Sequence, residues 1–531
     1  MKRNNLAGTY TLLRFFLRRD RFWLLLWVLL PLFVTLGQVK FVMALPDWGK
    51  FIAELSANPL TGSFLGPVVP LSLAGAIIWR SSIQGAMIVA IGSMLTVIRH
   101  TRTEEEKGRS ELVRGGMVGR HANLTAALLM TCLANLMAGI LAALGLLGNG
   151  LSPDGSLLFG LTIAASGWFF SGVGAVSAQL RENAGGARGI AMAVLGVVFL
   201  LFIRNNVNGG YTGWAWFTPM AWYRLTQPFA GNHYWVLLVF VFLTAVPAAV
   251  AYTLAARRDL GSALFKPRLG PAVGSPGLNS PLALAWRLHK GVIISWTVGV
   301  SFIGAGIGAV VPIVSENISD MLANMGSFDW LVRIGNREAF MAVVIYIVSV
   351  MAGMSVYAIA AVLRLRKEET EGLAEPILAK AVSRMKWMSS HLIIAFAGSA
   401  FLQIVLGLAA GLGWGLVVGD AGSVLPRTLG MAISKIPVIW VMAGIAAMVY
   451  GLLPRVSSIL SWSFLVLFII IEMTWEAQVI DWSVMRLIPF SYVHYTISIS
   501  ELSLLPLFGL TGLAVLFTGV GLLGFNRRSI G

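Results

Sequence analysis

The sequence predicts an all-α polytopic membrane protein, with about 12 transmembrane helices arranged as two parallel six-helix repeats. Three observations predict it. The 531-residue chain is 57% hydrophobic and only 12% charged, about half the charged fraction of soluble domains, and its mean hydropathy is +0.80. Apolar runs recur that are long enough to cross a hydrocarbon core of roughly 30 Å as helices. The chain also repeats itself with a period near 270 residues.

The elements follow in order. The start, "MKRNNLAGTYTLLRFFLRRDRFW", is too long and too basic at its end for a cleaved signal peptide. Within it, residues 6–19 read as an amphipathic helix on the inner leaflet, because Arg14, Arg18 and Arg21 recur at helical spacing beside Phe15, Phe16 and Leu17. Apolar runs then cover 22–39, 123–147, 188–203, 234–255, 291–311, 341–363, 392–418, 457–471 and 503–525. Unbroken runs exclude the alternation of a membrane barrel.

The net charge of +16 belongs to topology. Basic residues cluster at 2–21, 99–120, 257–290, 364–386 and 527–528, and about 29 of the 39 Lys and Arg fall on one side. The positive-inside rule makes that side the cytoplasm, with both termini in it, and removes the case for a nucleic-acid partner. Cys132 is the single cysteine and the six histidines are scattered, so the chain is expected to carry no disulfide, no metal site and no cofactor of its own.

The duplication is clearest in two charged loops. Residues 102–120 lie on 366–384 without a gap, matching Arg102/Arg366, Glu104/Glu368, Glu105/Glu369, Gly108/Gly372, Glu111/Glu375, Val118/Val382 and Arg120/Arg384. Entry helices pair Arg18 with Arg287 and Trp27 with Trp296, and Pro219 and Trp222 pair with Pro489 and Tyr492. "RRDLG" at 257–261 echoes "RRSIG" at 527–531. The domains are therefore 1–260, a Pro/Gly-rich cytoplasmic linker at 261–281, and 282–531. Six crossings per half make the repeats parallel and place both loops in the cytoplasm, between the second and third helix of each half.

"TRTEEEKGRSELVRGG" at 101–116 packs four glutamates and four basic residues into this apolar chain. Acidic residues contribute little to topology, yet they are the positions that both loops share. On a continuous helix Glu104, Gly108 and Glu111 would share one face, with Gly108 admitting a partner's backbone, and Glu368, Gly372 and Glu375 would repeat it. The loops therefore read as a docking surface for a cytoplasmic protein, present twice.

The "EE…G..E" loop, the basic entry helix, the "P…W/Y" stretch and the "RRDLG" ending resemble ABC transporter permeases. More narrowly, they resemble the ABC-2-type group of polyketide-antibiotic exporters, in which two permease halves are fused. The resemblance spans essentially the whole chain. It implies the ABC-2-type exporter fold and a coupling helix seated on an ATP-binding subunit. That role would fall on Glu104, Glu105, Gly108, Glu111 and Arg120, and on Glu368, Glu369, Gly372, Glu375 and Arg384. Pro376 replaces Leu112 in the second loop, which implies a kinked or differently phased helix there.

The chain has no G-x-x-x-x-G-K-[ST] phosphate loop; "GMAISKIP" at 430–437 lacks the second glycine. It is therefore read as no enzyme. ATP and Mg would be bound by a partner ATPase, in two copies, that drives alternating access. The expected setting is a bacterial cytoplasmic membrane, with hydrophobic or amphipathic drugs or antibiotics as cargo. The alternative is a secondary-active drug/proton antiporter, which would favour a short basic loop between helices 2 and 3 that is missing here. Glu104–Arg109 and Phe229–His233 also fit fragments of intramembrane protease motifs, but they fall in loops on opposite sides, where no metal-activated water could serve both.

Signals for cargo lie at the other end. "YTGWAWFTPMAWYRLTQPF" at 211–229 and "WSVMRLIPFSYVHY" at 482–495 suggest outer interfacial segments. They serve as an aromatic belt or as an exit gate, through Trp216, Pro219, Trp222, Pro489 and Tyr492. Glu472, near the outer end of its helix, is a candidate substrate or gating acid, since an acid at membrane depth faces protein or water.

Overall fold

A computed structural model of the chain describes residues 5–45, 47–57, 62–63, 65–116, 118–259, 261–265, 274, 277–316, 337–379, 382–476, 480–493 and 504–528. It divides into two units, residues 1–270 and 271–531. The described residues are helical, apart from turns and one isolated bridge between Arg181 and Phe265.

The first unit begins with α1 (Thr9–Arg19), whose Leu12 and Phe16 are buried while Arg14, Phe15, Leu17 and Arg18 stay exposed. Six long helices follow: α2 (Arg21–Met43), α3 (Leu73–His100), α6 (Ala122–Leu147), α7 (Pro153–Leu180), α8 (Ala184–Val207) and α9 (Trp235–Arg257). Between α3 and α6 the charged loop forms α4 (Arg102–Glu106) and α5 (Arg109–Arg114). Helices α3 and α7 are central, with 72% and 78% of their apolar stretches buried, against 28% for α2 and 22% for α9.

Small residues permit that packing. A Cβ at Gly139 would stand 2.2 Å from the carbonyl oxygen of Gly160, so α6 and α7 touch backbone to backbone. Asn135 of α6 then donates to Ser93 of α3 at 2.9 Å and to Ser171 of α7 at 3.4 Å. A buried polar network of this kind holds three helices in one register where apolar contacts alone would let them slide.

The second unit repeats the plan with α10 (Pro281–Glu316), α11 (Arg337–Tyr346), α12 (Met354–Thr370), α13 (Glu375–Leu378), α14 (Arg384–Val418), α15 (Ala421–Ile433), α16 (Ile436–Leu452), α17 (Ser457–Glu476) and α18 (Leu504–Arg527). A π-helical turn, Ile347–Gly353, joins α11 to α12. Asp420 starts α15 by accepting from the Ser423 amide at 3.2 Å, which satisfies one of the helix's free N-terminal donors. A Cβ at Gly308 would lie 2.0 Å from the Ala410 carbonyl oxygen, and one at Gly451 2.0 Å from that of Gly521. These glycines are where α10 meets α14 and α16 meets α18.

Among the described residues, 11 helices are long and apolar enough to cross a bilayer, and a shorter apolar helix, Ser457–Glu472, adds to them. The chain is an all-α, multi-pass membrane protein.

Candidate functional site

Both charged loops are built on the same left-handed turn. The expectation of one continuous helix through 104–111 is corrected here: α4 ends at Glu106, Gly108 takes φ 70°, and α5 starts afresh at Arg109. Gly372 takes the same φ of 70° between α12 and α13. A Cβ at either glycine would meet nothing within 4 Å. They are needed for a conformation that other residues adopt at a cost, and neither admits a close backbone within its own unit. The amide of Gly108 bonds to Glu105 O at 3.0 Å, and that of Gly372 to Glu369 O at 3.1 Å.

Glu105 turns inward. Its two carboxylate oxygens accept from Arg258, just beyond α9, at 2.8 Å each, and Arg102 donates to the same group. Arg102 is fully buried and also binds the carbonyls of Glu182, Gly261 and Ser262. Arg120 donates to the carbonyls of Ala255, Ala256 and Arg258, where α9 runs out of internal partners.

The second unit copies the arrangement. Arg528 grips Glu369 through two bonds of 2.9 Å, Arg366 stands 3.6 Å from the same carboxylate, and Arg384 donates to the carbonyl of Arg528. Four of the ten loop residues singled out from the sequence, Glu105, Arg120, Glu369 and Arg384, thus fasten each loop to the last helix of its own unit.

Glu104 and Glu368 differ. Glu104 pairs with Arg19 of α1 at 3.1 Å, and Arg19 also meets His100, which is bonded to the buried Asp20 at 2.8 Å. Glu368 is buried and pairs with Arg364 on its own helix at 3.2 Å. Among the described residues, only the first loop is tied to an entry helix by an ion pair. Pro376 takes a first-turn position of α13, where its missing N–H costs nothing, so it does not kink the helix. What remains outward is the tip: Glu111 and Leu112, the latter 82% exposed, and in the second loop Glu375, Pro376 and Leu373.

At the other end, Trp222 is buried and stacked on Phe240 of α9, with ring centroids 3.9 Å apart, and its indole N–H donates to the Trp216 carbonyl. Pro219 is buried and its carbonyl accepts from Ser166 of α7. The sequence pairing of Trp222 with Tyr492 does not extend to environment, since Tyr492 is 49% exposed and donates to the Arg486 carbonyl. Pro489 opens a short 3-10 turn and is half-buried. Glu472 is fully buried and accepts from the Tyr346 hydroxyl at 2.9 Å, which joins α17 to α11.

Two features escaped sequence reasoning. The arginines of "RRDLG" and "RRSIG" were visible as a repeated ending, but their partners lie 153 and 159 residues upstream. Arg224 is fully buried and binds Asn206, Tyr223 and the Leu65 carbonyl. Burial pushes the Tyr223 hydroxyl's pKa up, so it stays protonated and donates to the Pro67 carbonyl. No second copy of Arg224 in the sequence flags it.

The C-terminal domain model of the multidrug efflux system permease Rv1217c matches residues 278–526. Across the whole length, the chain is 37% identical to the multidrug efflux system permease protein Rv1217c of Mycobacterium tuberculosis (strain ATCC 25618 / H37Rv) over 535 residues, covering 99% of this chain and 95% of that protein.

Proposed function

This chain belongs to the family of the multidrug efflux system permease Rv1217c, and we propose that it is the membrane subunit of an ATP-driven exporter of hydrophobic and amphipathic compounds. A separate ATP-binding protein, in two copies and carrying ATP and Mg, engages the tips of the two charged loops. The bilayer in question is the bacterial cytoplasmic membrane, with the loops and both termini inside.

One observation carries the reading. In each unit an outward acidic tip is mounted on a loop whose root is locked to the last helix by a two-bond arginine–carboxylate pair. Such pairs fix orientation as well as distance, so a push on the tip is delivered to the bundle and not lost in the loop. A solvated loop that merely marked topology would need none of this. Leu112 supplies the apolar anchor that a protein partner buries at the centre of a contact, with Glu111 at its rim.

The test is purification of the chain from its native membrane in mild detergent, with and without crosslinking, followed by mass spectrometry. A Walker-motif ATPase at about two copies per chain, lost on combining Glu111→Lys with Glu375→Lys, supports the proposal. Export that persists in cells depleted of every such partner would overturn it in favour of an ion-coupled carrier.

A further inference from the structure

In the first unit Trp27 of α2 lies against α3. It is 3% exposed, and a Cβ at Gly92 would stand 2.6 Å from its ring. The duplication pairs Trp27 with Trp296, and the register that lays Arg102 on Arg366 lays Gly92 on Val356. The second unit cannot repeat the contact, because Val356 places a branched side chain where Gly92 leaves a gap.

An open cleft stands in place of that contact. Trp296 is half-buried and sits edge-on to Tyr357, with centroids 5.9 Å apart. The helix in front of it opens into the π-helical turn Ile347–Gly353, an irregularity that proteins keep mainly at working sites. A volume of about 460 Å³ lies between α10, the end of this turn and α14, lined by Trp296, Gly299, Val300, Ile303, Met354 and Leu406. That volume falls within the range of about 300–1,000 Å³ typical of small-molecule sites.

The lining states what fits. Among the described lining residues the one side-chain hydroxyl, Ser295 at the rim, already donates to the Gly291 carbonyl at 3.0 Å, and the rest are apolar or glycine. An indole ring and a thioether are both surfaces that favour aromatic rings. We infer that the cleft between α10 and the π-turn of the second unit binds an uncharged, multi-ring aromatic molecule, one per chain, with no counterpart in the first unit. The inference rests on the reading of the chain as a drug permease and names where its apolar cargo is held.

Benzophenone, an uncharged two-ring ketone that photolabels C–H bonds, is the probe. The chain is reconstituted in lipid nanodiscs without any ATPase, irradiated with benzophenone, and mapped by mass spectrometry. The expected adducts lie on Met354 and on Trp296, Gly299, Val300 and Ile303, and are displaced by unlabelled anthracene. Gly299→Trp should reduce them by about tenfold, the loss of roughly 1.4 kcal/mol of apolar contact. A Cβ at Gly299 meets nothing within 4 Å, so the added ring fills the cleft without a backbone clash. Gly306→Trp, at an equally open position of α10, should leave the labelling unchanged.

Labelling unchanged by Gly299→Trp, or equal on the outward Ile294 and Val298, would show benzophenone dissolved in the bilayer and overturn the inference. Displacement by added phosphatidylglycerol but not by anthracene would make the cleft a lipid-chain groove and overturn it too. Because no transport is measured, a chain that labels but exports nothing removes the exporter reading alone. One that exports but does not label removes the cleft alone.

Discussion

Arg258 and Glu105 meet in parallel, each guanidinium Nη 2.8 Å from one carboxylate oxygen, although the two residues are 153 positions apart. Arg528 and Glu369 repeat the pair at 2.9 Å. Each unit therefore closes by taking hold of its own charged loop. The side chains of Glu105 and Arg258 are only 7% and 10% exposed, so the pair is screened little by salt and is worth more than a surface ion pair.

Charge reversal at one partner leaves two like charges in a nearly dry site. Glu105→Arg is expected to lower thermal stability by about 3 kcal/mol and to stop export. Adding Arg258→Glu should restore part of both. A melting curve and a drug-resistance assay on the single and double variants check it; a double variant no better than Glu105→Arg would show that the pair does not act as a unit.

The loop tip should behave in the opposite way. Leu112→Asp changes a side chain that is 82% exposed, so the melting temperature should not move. Binding of the ATPase should fall by about tenfold or more if Leu112 is an anchor of the contact. Titrating the purified partner onto the chain in nanodiscs measures it.

Gly108→Ala and Gly372→Ala isolate backbone strain, since the added methyl would touch nothing. Each should cost about 1 kcal/mol through the left-handed φ alone, and Asn should cost less than Ala. Hydrogen exchange at the amides of residues 105–112 and 369–375 reports it; equal exchange in the Ala variants would mean that the turns are not held in this conformation.

Trp222 and Tyr492 occupy paired positions but should respond differently. Trp222→Ala removes a ring stacked on Phe240 and is expected to cost about 3–5 kcal/mol in stability. Tyr492→Ala should stay within about 0.5 kcal/mol. Detergent-solubilised melting temperatures separate the two, and an unaltered Trp222→Ala melt with lost export would restore the gate reading for Trp222.

Much of this was legible in the sequence because membrane helices announce themselves locally. Most of the apolar runs fall inside observed helices, although 234–255 begins one residue ahead of α9 and 341–363 spans the π-helical turn between α11 and α12; Arg14 and Phe16 sit on opposite faces of α1 as the spacing predicts. The loops were found by their repetition, and their shared acids by the weak part that acids play in topology. What could not be read was direction. Glu104, Glu105 and Glu106 are consecutive, yet they reach Arg19, Arg258 and the Ala184 amide respectively. Three different long-range partners for three identical neighbours is tertiary information. On a continuous helix Gly108 makes room for a partner's backbone. Its positive φ belongs to the turn that ends that helix.

The distances along the chain between each loop and its arginine have a consequence for how the protein is made. A ribosome that has just threaded Glu105 into place must add a further 153 residues before Arg258 exists, and for Glu369 the wait is 159. Throughout that interval each carboxylate lacks the arginine that will later hold it, while helices α6 to α9, or α14 to α18, enter the bilayer one after another. The loops are thus the last parts of each unit to mature. A chain interrupted just before its arginine would have all the helices of that unit but leave the handle unfastened.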